Sequence, residues 1–269
     1  MNAVLKLTCA DKKGIVAAVT KFIAENNGNI VNLDQYTDHA QKLFFMRLEW
    51  DLTGFKIPRE KIAGALKKFG NVSIAFSDRK KRVAIFVSKY DHCLYDLLLR
   101  NKSGELNCDI TAVISNHEDL RYAAAAFGKE FYCLPKNEKK QLDLLKQKKV
   151  DLIILARYMQ ILSPAFIKAY PDKIINVHHS FLPAFKGAKP YHQAYQRGVK
   201  IIGATAHFAT EDLDQGPIIQ QNVAQISHRD TVTDLITKGR DLERQVLAEA
   251  VRYYLNDRLF ICGNRTVVL

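Results

Sequence analysis

Two different patterns of apolar and polar residues divide the chain near residue 80. In the first part, short stretches of alternating apolar and polar residues are typical of half-buried antiparallel strands. Between these stretches, apolar residues recur every three or four positions, as they do on one face of a helix. The pattern predicts the order β-α-β-β-α-β, with strands at Ala3–Cys9, Ile30–Thr37, Leu43–Trp50 and Val72–Phe76 and helices at Gly14–Asn26 and Arg59–Phe69. This is the order of the ferredoxin-like fold.

After residue 80, short apolar runs alternate with helical stretches. The run Val150–Ala156 is almost wholly apolar, as a strand buried on both faces should be. Alternation of strands and helices predicts a parallel, doubly wound sheet. Further strands are predicted at Val83–Ser88, Ile110–Ser115, Phe131–Leu134, Lys173–Val177, Lys200–Phe208 and Ile218–Val223. We therefore predict an α/β protein with one domain at residues 1–80 and a second at residues 81–269.

The composition is that of a globular protein with an excess of basic residues. Of 269 residues, 48% are hydrophobic, and 40 Lys and Arg against 28 Asp and Glu give a net charge of +12. Such a charge either forms a solvated surface or attracts a polyanion or a small, multiply charged ligand. The sequence contains no recognition-helix, zinc-finger or stacking-aromatic signature. We therefore predict that nucleic acid is not a partner.

The cysteines and the apolar runs bear on the cellular compartment. Five cysteines are scattered without a CxxC pair, which is typical of reduced thiols. The N-terminal residues alternate like a strand and lack the basic and apolar regions of a signal peptide. No uninterrupted apolar run reaches the roughly 18–20 residues that cross a bilayer. We expect a cytoplasmic protein that makes no membrane contact.

Three polar residues are candidates for catalysis. Asn176 and His178 lie at the end of the predicted strand Lys173–Val177, and Asp214 precedes a Gly-Pro turn. In doubly wound sheets, ligands bind beyond the carboxyl ends of the strands. An Asn amide can donate to an oxyanion, a His can carry a proton, and a carboxylate can orient the imidazole or activate water itself. The set suits attack on a carbonyl, although each residue taken alone is also an ordinary turn residue.

The first domain carries a glycine turn between its first strand and first helix. The segment "CADKKGIVAAVTKFIAENNGNI", which starts at Cys9, resembles the ACT domain, a small regulatory module that often binds amino acids. The resemblance implies an amino-acid effector at Asp11, Gly14 and Ile15, where helix N–H groups can receive a carboxylate. The alternative is a plain turn in which Asp11 favours the helix start. ACT domains commonly pair edge to edge, so we expect a homodimer or homotetramer.

The second domain carries a longer signature. The stretch "NVHHSFLPAFKGAKPYHQAYQRGVKIIGATAHFATEDLDQGPIIQQ", which starts at Asn176, resembles the folate-dependent formyltransferase superfamily. The double histidine, the ACT domain and the ending "GNRTVVL" are similar to the formyltetrahydrofolate deformylase family within it. The resemblance implies hydrolysis of 10-formyltetrahydrofolate to tetrahydrofolate and formate. It also implies that the formate supplies purine synthesis and balances one-carbon folate pools, and that neither a cofactor nor a metal takes part.

The resemblance also assigns roles to individual residues. It implies that the catalytic residues are Asn176, His178 and Asp214. It implies that the folate substrate contacts a loop after a buried strand and a stretch ahead of Asp214, with a supporting histidine: Met159, Gln160, Ile161, Leu162, His207, Thr210 and Glu211. Of the neighbouring residues, Ser180 is interpreted as structural, and the pair His92-Cys93 as the start of a helix because no second ligand pair follows it.

Two other functions remain open at this point. The domain could transfer the formyl group to an amine, or it could be a ligand sensor that has lost activity. Related transferases have a glycine-rich phosphate loop, whereas the matching stretch Ser88–Leu98 contains no glycine and presents Asp91. A phosphate is hard to bind without glycine and beside a carboxylate. Water is therefore the predicted co-substrate, and the intact set of three candidate residues argues against a sensor.

Overall fold

The structure is a computed structural model that describes residues 1–184 and 190–269. For residue 190 it describes the backbone alone. Residues 185–189 of the signature that starts at Asn176 lie outside this description. The chain forms two compact units. The first consists of Met1–Lys80, Asn256–Cys262 and Val267–Leu269, and the second of Lys81–Leu255 and Gly263–Thr266. The sequence did not indicate that part of the C-terminus belongs with the first unit.

The first unit has the ferredoxin-like order expected from the sequence. Its elements are β1 (Asn2–Ala10), α1 (Ile15–Glu25), β2 (Asn29–Asp38), β3 (Leu43–Asp51), α2 (Arg59–Leu66), a 3₁₀ turn (Lys67–Phe69) and β4 (Asn71–Phe76). The antiparallel sheet has the order β2-β3-β1-β4. The α/β class and the ferredoxin-like arrangement are therefore confirmed.

A glycine stands near each end of α1. Gly14 precedes the helix with a φ of 88°, in the left-handed region that favours glycine. At the other end of the helix, Asn27 has a φ of 61° in the left-handed region. The next residue, Gly28, has no room for a side chain, because a Cβ there would lie 2.6 Å from the side chain of Ile23 and 3.0 Å from that of Trp50.

The C-terminal residues of the first unit pack on the strand β3. The ring of Phe260 meets that of Phe45 edge to face, with 5.7 Å between centroids. Arg47 donates from Nε to the carbonyl of Asn256 at 3.2 Å. These contacts account for the return of the chain to this unit, and they depend on residues more than 200 positions apart. A short-range sequence pattern cannot predict them.

The second unit contains the doubly wound sheet. Its elements are β5 (Lys81–Val87), α3 (His92–Lys102), β6 (Cys108–Ser115), α4 (Arg121–Ala126), β7 (Phe131–Cys133), α5 (Glu138–Gln147), β8 (Leu152–Leu155), α6 (Pro164–Ala169), β9 (Ile174–His178), α7 (Pro190–Arg197), β10 (Ile201–Phe208), β11 (Ile218–Gln225) and α8 (Val232–Leu255). Two short strands follow α8. Strand β12 (Leu259–Cys262) belongs to the first unit, and β13 (Arg265–Val268) begins in the second. Within this unit the strands follow the order β13-β11-β10-β9-β8-β5-β6-β7.

The direction of β10 corrects one part of the sequence reasoning. Strands β5 to β9 pair in parallel, but β10 runs antiparallel to both β9 and β11. Phe208, at the end of β10, pairs with Ile175 and not with His178. The expectation of a parallel sheet is therefore wrong at β10, whose carboxyl end lies beside Ile175. The loop after β10 has to turn back to reach that histidine.

Helix α8 was not predicted from the sequence, and it covers one face of the sheet. Its buried face is mostly apolar, as expected for a helix packed on strands. Two residues depart from that pattern, because Gly239 and the carboxylate of Glu243 lie on the same buried face. Within residues 1–184 and 190–269, we find no helix whose length and apolar character would let it span a membrane.

Candidate active site

A cavity of about 530 Å³ opens in the second unit. Its walls come from the loop after β5, the start of α3, the end of β8 and the loop after it, the end of β9, the start of α7, the end of β10 and the loop after it, and one face of α8. The candidate catalytic residues and every candidate folate contact line it: Met159, Gln160, Ile161, Leu162, Asn176, His178, His207, Thr210, Glu211 and Asp214. The structure thus brings together residues from three separate parts of the sequence.

His178 and Asp214 form the central contact. Nδ1 of His178 lies 3.1 Å from Oδ2 of Asp214. The histidine is the last residue of β9 and is only 6% exposed. Its Nε2 is buried and has no hydrogen-bond partner among the described residues. Because Nδ1 faces the carboxylate, Nε2 is the nitrogen that remains for a ligand in the cavity.

Asp214 is held in an unusual backbone conformation, with a φ of 56° in the left-handed region. Burial alone would raise the pKa of its carboxyl, but the hydrogen bond from His178 outweighs burial and holds the pKa below its ordinary value. The loop is also tight at Gly216, where a Cβ would come within 1.8 Å of the carbonyl oxygen of Phe208. The chain therefore turns back from β10 through two positions, Asp214 and Gly216, at which few other residues would fit.

Asn176 is oriented by His207. The two residues face each other across the β9–β10 pair, and Nδ2 of Asn176 lies 3.2 Å from Nε2 of His207. Nδ1 of His207 lies 2.9 Å from the carbonyl oxygen of Phe208, to which it donates. In this tautomer Nε2 accepts a hydrogen bond from Asn176, and the second amide hydrogen of Asn176 stays available in the cavity.

The loop after β8 forms an apolar wall. The side chains of Met159 and Ile161 are 55% and 77% exposed, which is unusual for large apolar residues. The loop is fixed at its start, because the backbone N–H of Met159 donates to Oγ of Ser88 at 2.9 Å. Glu211, which also lines the cavity, forms an exposed ion pair with Lys168 at 3.3 Å. An apolar wall with backbone polar groups suits a flat heterocycle.

Four residues near the site form a group that we call the Glu243 cluster: His92, Arg157, Tyr191 and Glu243. The sequence analysis interpreted His92 as the start of a helix and did not identify the other three. An oxygen of Glu243 lies 2.8 Å from Nε2 of His92 and 3.4 Å from Nε of Arg157, and the Tyr191 hydroxyl donates to the other oxygen at 2.8 Å. Burial alone would raise the pKa of Glu243, but His92 and Arg157 keep it below its ordinary value. In the sequence, the charged Glu243 among the apolar residues on one face of α8 was the signal that could have identified this cluster.

Two members of the cluster and the neighbouring Cys93 are potential metal ligands. Ligand atoms of His92, Cys93 and Glu243 lie within 4.8 Å of one another. The Glu243 carboxylate is already paired with the Arg157 guanidinium, which would repel a cation. Burial also raises the pKa of the Cys93 thiol well above its ordinary value, so the thiolate that a metal requires is disfavoured. The arrangement fits an ion-pair network better than a metal site.

The candidate effector residues lie in the first unit. Gly14 has the left-handed conformation, and the backbone N–H of Asp11 donates to the carbonyl of Lys42 at 2.9 Å. The side chain of Ile15 is 5% exposed and belongs to the core of this unit. The turn therefore has the conformation expected, while Ile15 offers a ligand its backbone more readily than its side chain.

Comparisons with known proteins match both units. The family model described as formyl transferase matches residues 81–251, and that described as ACT domain matches residues 3–71. A formyltetrahydrofolate deformylase from Synechocystis sp. is 51% identical, with 100% of this chain and 98% of the relative covered. A crystal structure of a formyltetrahydrofolate deformylase from Pseudomonas syringae pv. tomato has a TM-score of 0.96 and 42% identity, and the comparison covers 100% and 94% of the two chains.

A formyl-transferring enzyme is also similar in structure, although over less of the chain. Glycinamide ribonucleotide transformylase 1 from Symbiobacterium toebii has a TM-score of 0.68 and 30% identity. The match covers 71% of this chain and 94% of that one. The similarity to the deformylases extends over both units, which distinguishes the two groups.

Proposed function

Because the chain belongs to the formyltetrahydrofolate deformylase family, with an ACT domain followed by a formyl transferase domain, we propose that it hydrolyses 10-formyltetrahydrofolate at the cavity of the second unit. It is a hydrolase whose products are tetrahydrofolate and formate. The observation that carries the assignment of the site is the His178–Asp214 contact, which leaves Nε2 of His178 free in the cavity beside Asn176.

Asn176 is the oxyanion donor in this mechanism. Water adds to the formyl carbon, and negative charge develops on the carbonyl oxygen. One amide hydrogen of Asn176 is used by His207, and the other donates to that oxygen. Because His207 already fixes the amide, this interaction needs little reorganisation when the charge forms.

His178 carries the proton. Its Nε2 removes a proton from the attacking water, and the imidazolium that results is stabilised by Asp214 at 3.1 Å. The tetrahedral intermediate then collapses, the bond between carbon and N10 breaks, and the same proton passes from Nε2 to N10. The products are tetrahydrofolate and formic acid, which ionises to formate.

Asp214 orients His178 and stabilises its charge. A carboxylate could instead act as the base toward water, but the lowered pKa of Asp214 makes it a weak base. Its two oxygens also face His178 and His207, at 3.1 and 3.6 Å. These contacts favour the orienting role over direct activation of water.

The end of β5 favours water over a phosphorylated amine as the acceptor. Oγ of Ser88 donates to Oδ1 of Asn116 at 2.7 Å and accepts a hydrogen bond from the Met159 N–H. Ser88 is therefore engaged within the protein, and the carboxylate of Asp91 would repel a phosphate nearby. Both features oppose a phosphate-bearing substrate at this position.

The experiment that tests this function is the release of formate from 10-formyltetrahydrofolate without any amine acceptor. Formate is measured with a coupled formate dehydrogenase, and tetrahydrofolate by absorbance. We expect stoichiometric formation of both, and the same rate after dialysis against a chelator, because three side chains suffice for the proton transfers. Turnover that requires an added amine would contradict the proposal.

The ACT unit and the assembly are separate parts of the proposal. The left-handed turn at Gly14 supports an amino-acid effector at Asp11, Gly14 and Ile15, and activity should respond to millimolar amino acids. Gly14→Val should abolish the response, because a β-branched residue opposes a φ of 88°. An amino-acid screen that changes neither activity nor melting temperature would argue against an effector.

Edge-to-edge pairing of ACT units supports a homodimer or homotetramer, since β2 lies at an edge of its sheet. Light scattering at micromolar concentration tests this, and a monomeric mass would exclude it. In the cell, formate from this reaction would supply purine synthesis and adjust one-carbon folate pools. Deletion of the gene should then raise the requirement for formate or purines in growth.

A further inference from the structure

A second histidine lines the same cavity. The ring of His179 lies 5.1 Å from that of His178, between centroids. Among the described residues, neither ring nitrogen of His179 has a hydrogen-bond partner. Burial, with the nearby charge of Arg157, lowers the pKa of His179 to about 4. The ring is therefore neutral at physiological pH and offers one acceptor and one donor to a small polar ligand.

His179 is held from behind by the Glu243 cluster. Its ring meets that of Tyr191 edge to face, at 6.0 Å between centroids. The Tyr191 hydroxyl donates to Glu243, which is 1% exposed and has His92 and Arg157 as its other partners. A buried carboxylate with three partners fixes the tyrosine, and the tyrosine fixes the position of the imidazole.

Helix α8 makes room for this arrangement at Gly239. A Cβ at residue 239 would lie 2.1 Å from the Tyr191 hydroxyl oxygen and 2.2 Å from its Cζ. Glycine in the interior of a helix weakens it relative to alanine. The glycine stands one turn from Glu243, so both residues that accommodate Tyr191 lie on the same face of α8.

We propose that His179 binds the attacking water and so selects water as the acceptor of the formyl group, and that Tyr191 and Glu243 are positioning residues that act through it. This inference rests on the proposed hydrolysis. The neutral imidazole accepts a hydrogen bond from one O–H of the water, while the other O–H gives its proton to Nε2 of His178. The oxygen lone pair then points to the formyl carbon. The bonds formed and broken, and the products, are those of the hydrolysis described above.

The test compares water with a second nucleophile. Hydroxylamine at high concentration competes for the formyl group: its nitrogen bonds to the formyl carbon, the bond to N10 breaks, and one proton from the amine passes to N10. The products are formohydroxamate and tetrahydrofolate, and the ferric complex of the former measures this route. Wild-type enzyme and the variants Tyr191→Phe, His179→Ala and Gly239→Ala are compared for formate and formohydroxamate at one hydroxylamine concentration.

We expect Tyr191→Phe and Gly239→Ala to lower formate release by about tenfold and His179→Ala by about tenfold to a hundredfold, because a misplaced water loses its alignment. Formohydroxamate formation should change much less, as should KM for the folate. Tyr195→Phe is the matched control, since Tyr195 lies one turn further along α7 and its side chain is 51% exposed. It should behave as the wild type does.

The possible outcomes distinguish a positioning role of these residues from a purely structural one. Tyr191→Phe keeps the ring and its volume, so it reports on the hydroxyl even when the other variants fold poorly. Equal loss of formate and formohydroxamate would show a merely structural role and overturn the inference while leaving the hydrolysis intact. A Tyr191→Phe enzyme that matches Tyr195→Phe would do the same. Wild-type protein that releases no formate would overturn the proposed function, and this inference with it.

Discussion

Asp214→Asn is the substitution that tests the mechanism most directly. It keeps the size of the side chain and removes its charge. Asparagine tolerates the left-handed conformation, so a φ of 56° adds little strain to the variant. The loop after β10 should therefore keep its course, and the change should act mainly on His178 and His207.

The magnitude follows from the distance between the groups. In the transition state His178 carries a positive charge 3.1 Å from the carboxylate of Asp214. At an effective dielectric constant of about 20, two unit charges at that distance attract by about 5 kcal/mol. Loss of this stabilisation from the transition state lowers kcat by about 10³- to 10⁴-fold. KM should change little, because the residues proposed to contact the folate ring are others than Asp214.

The assay is formate release under saturating folate, together with the melting temperature as a check on folding. Asn176→Ala should lose about 10²- to 10³-fold through the missing oxyanion donor. Since the residues act as a unit, the double variant Asn176→Ala/Asp214→Asn should lose much less than the product of the two single losses. A loss below tenfold in Asp214→Asn, with an unchanged melting temperature, would refute the electrostatic role of Asp214.

Four further predictions follow from the same contacts. His178→Ala should lose more of kcat than His179→Ala, and the reverse order in formate release would mean that the proton carrier is the other histidine. Gly216→Ala should cost at least tenfold in kcat, because its Cβ would collide with the Phe208 carbonyl and shift the catalytic loop, as a comparison of kcat with melting temperature would show. The free energy of unfolding should fall as pH drops from 7 to 5, because His179 stays neutral in the folded state with a pKa of about 4 but takes up a proton when unfolded near 6.5. His179→Ala should remove up to about 2 kcal/mol of that fall in denaturant titrations. Folate affinity should weaken as salt rises if basic side chains attract the glutamate tail, and a KM independent of ionic strength would exclude that attraction.

Much of the fold could be predicted because local patterns carried the information. The alternating stretches of the first unit and the apolar run that became β8 are signals of period two or of full burial, and both lie within a few residues. Gly14 could be placed at a turn because few residues other than glycine adopt its conformation. The motif around Asn176 and His178 was short and adjacent in sequence, so their joint presence on one face of β9 followed from strand geometry.

The tertiary structure decided how distant residues meet. The antiparallel direction of β10 shows only in its pairing with β9 and β11, so the sequence alone did not show that a loop must return Asp214 to His178. The same holds for the C-terminal residues that pack on β3 and for the Glu243 cluster, whose members are drawn from α3, α7, α8 and the loop after β8. A buried carboxylate is stable only when its partners are in place. Those partners are separated from Glu243 by as many as 151 positions in the chain, and they come together only when the sheet and helices pack.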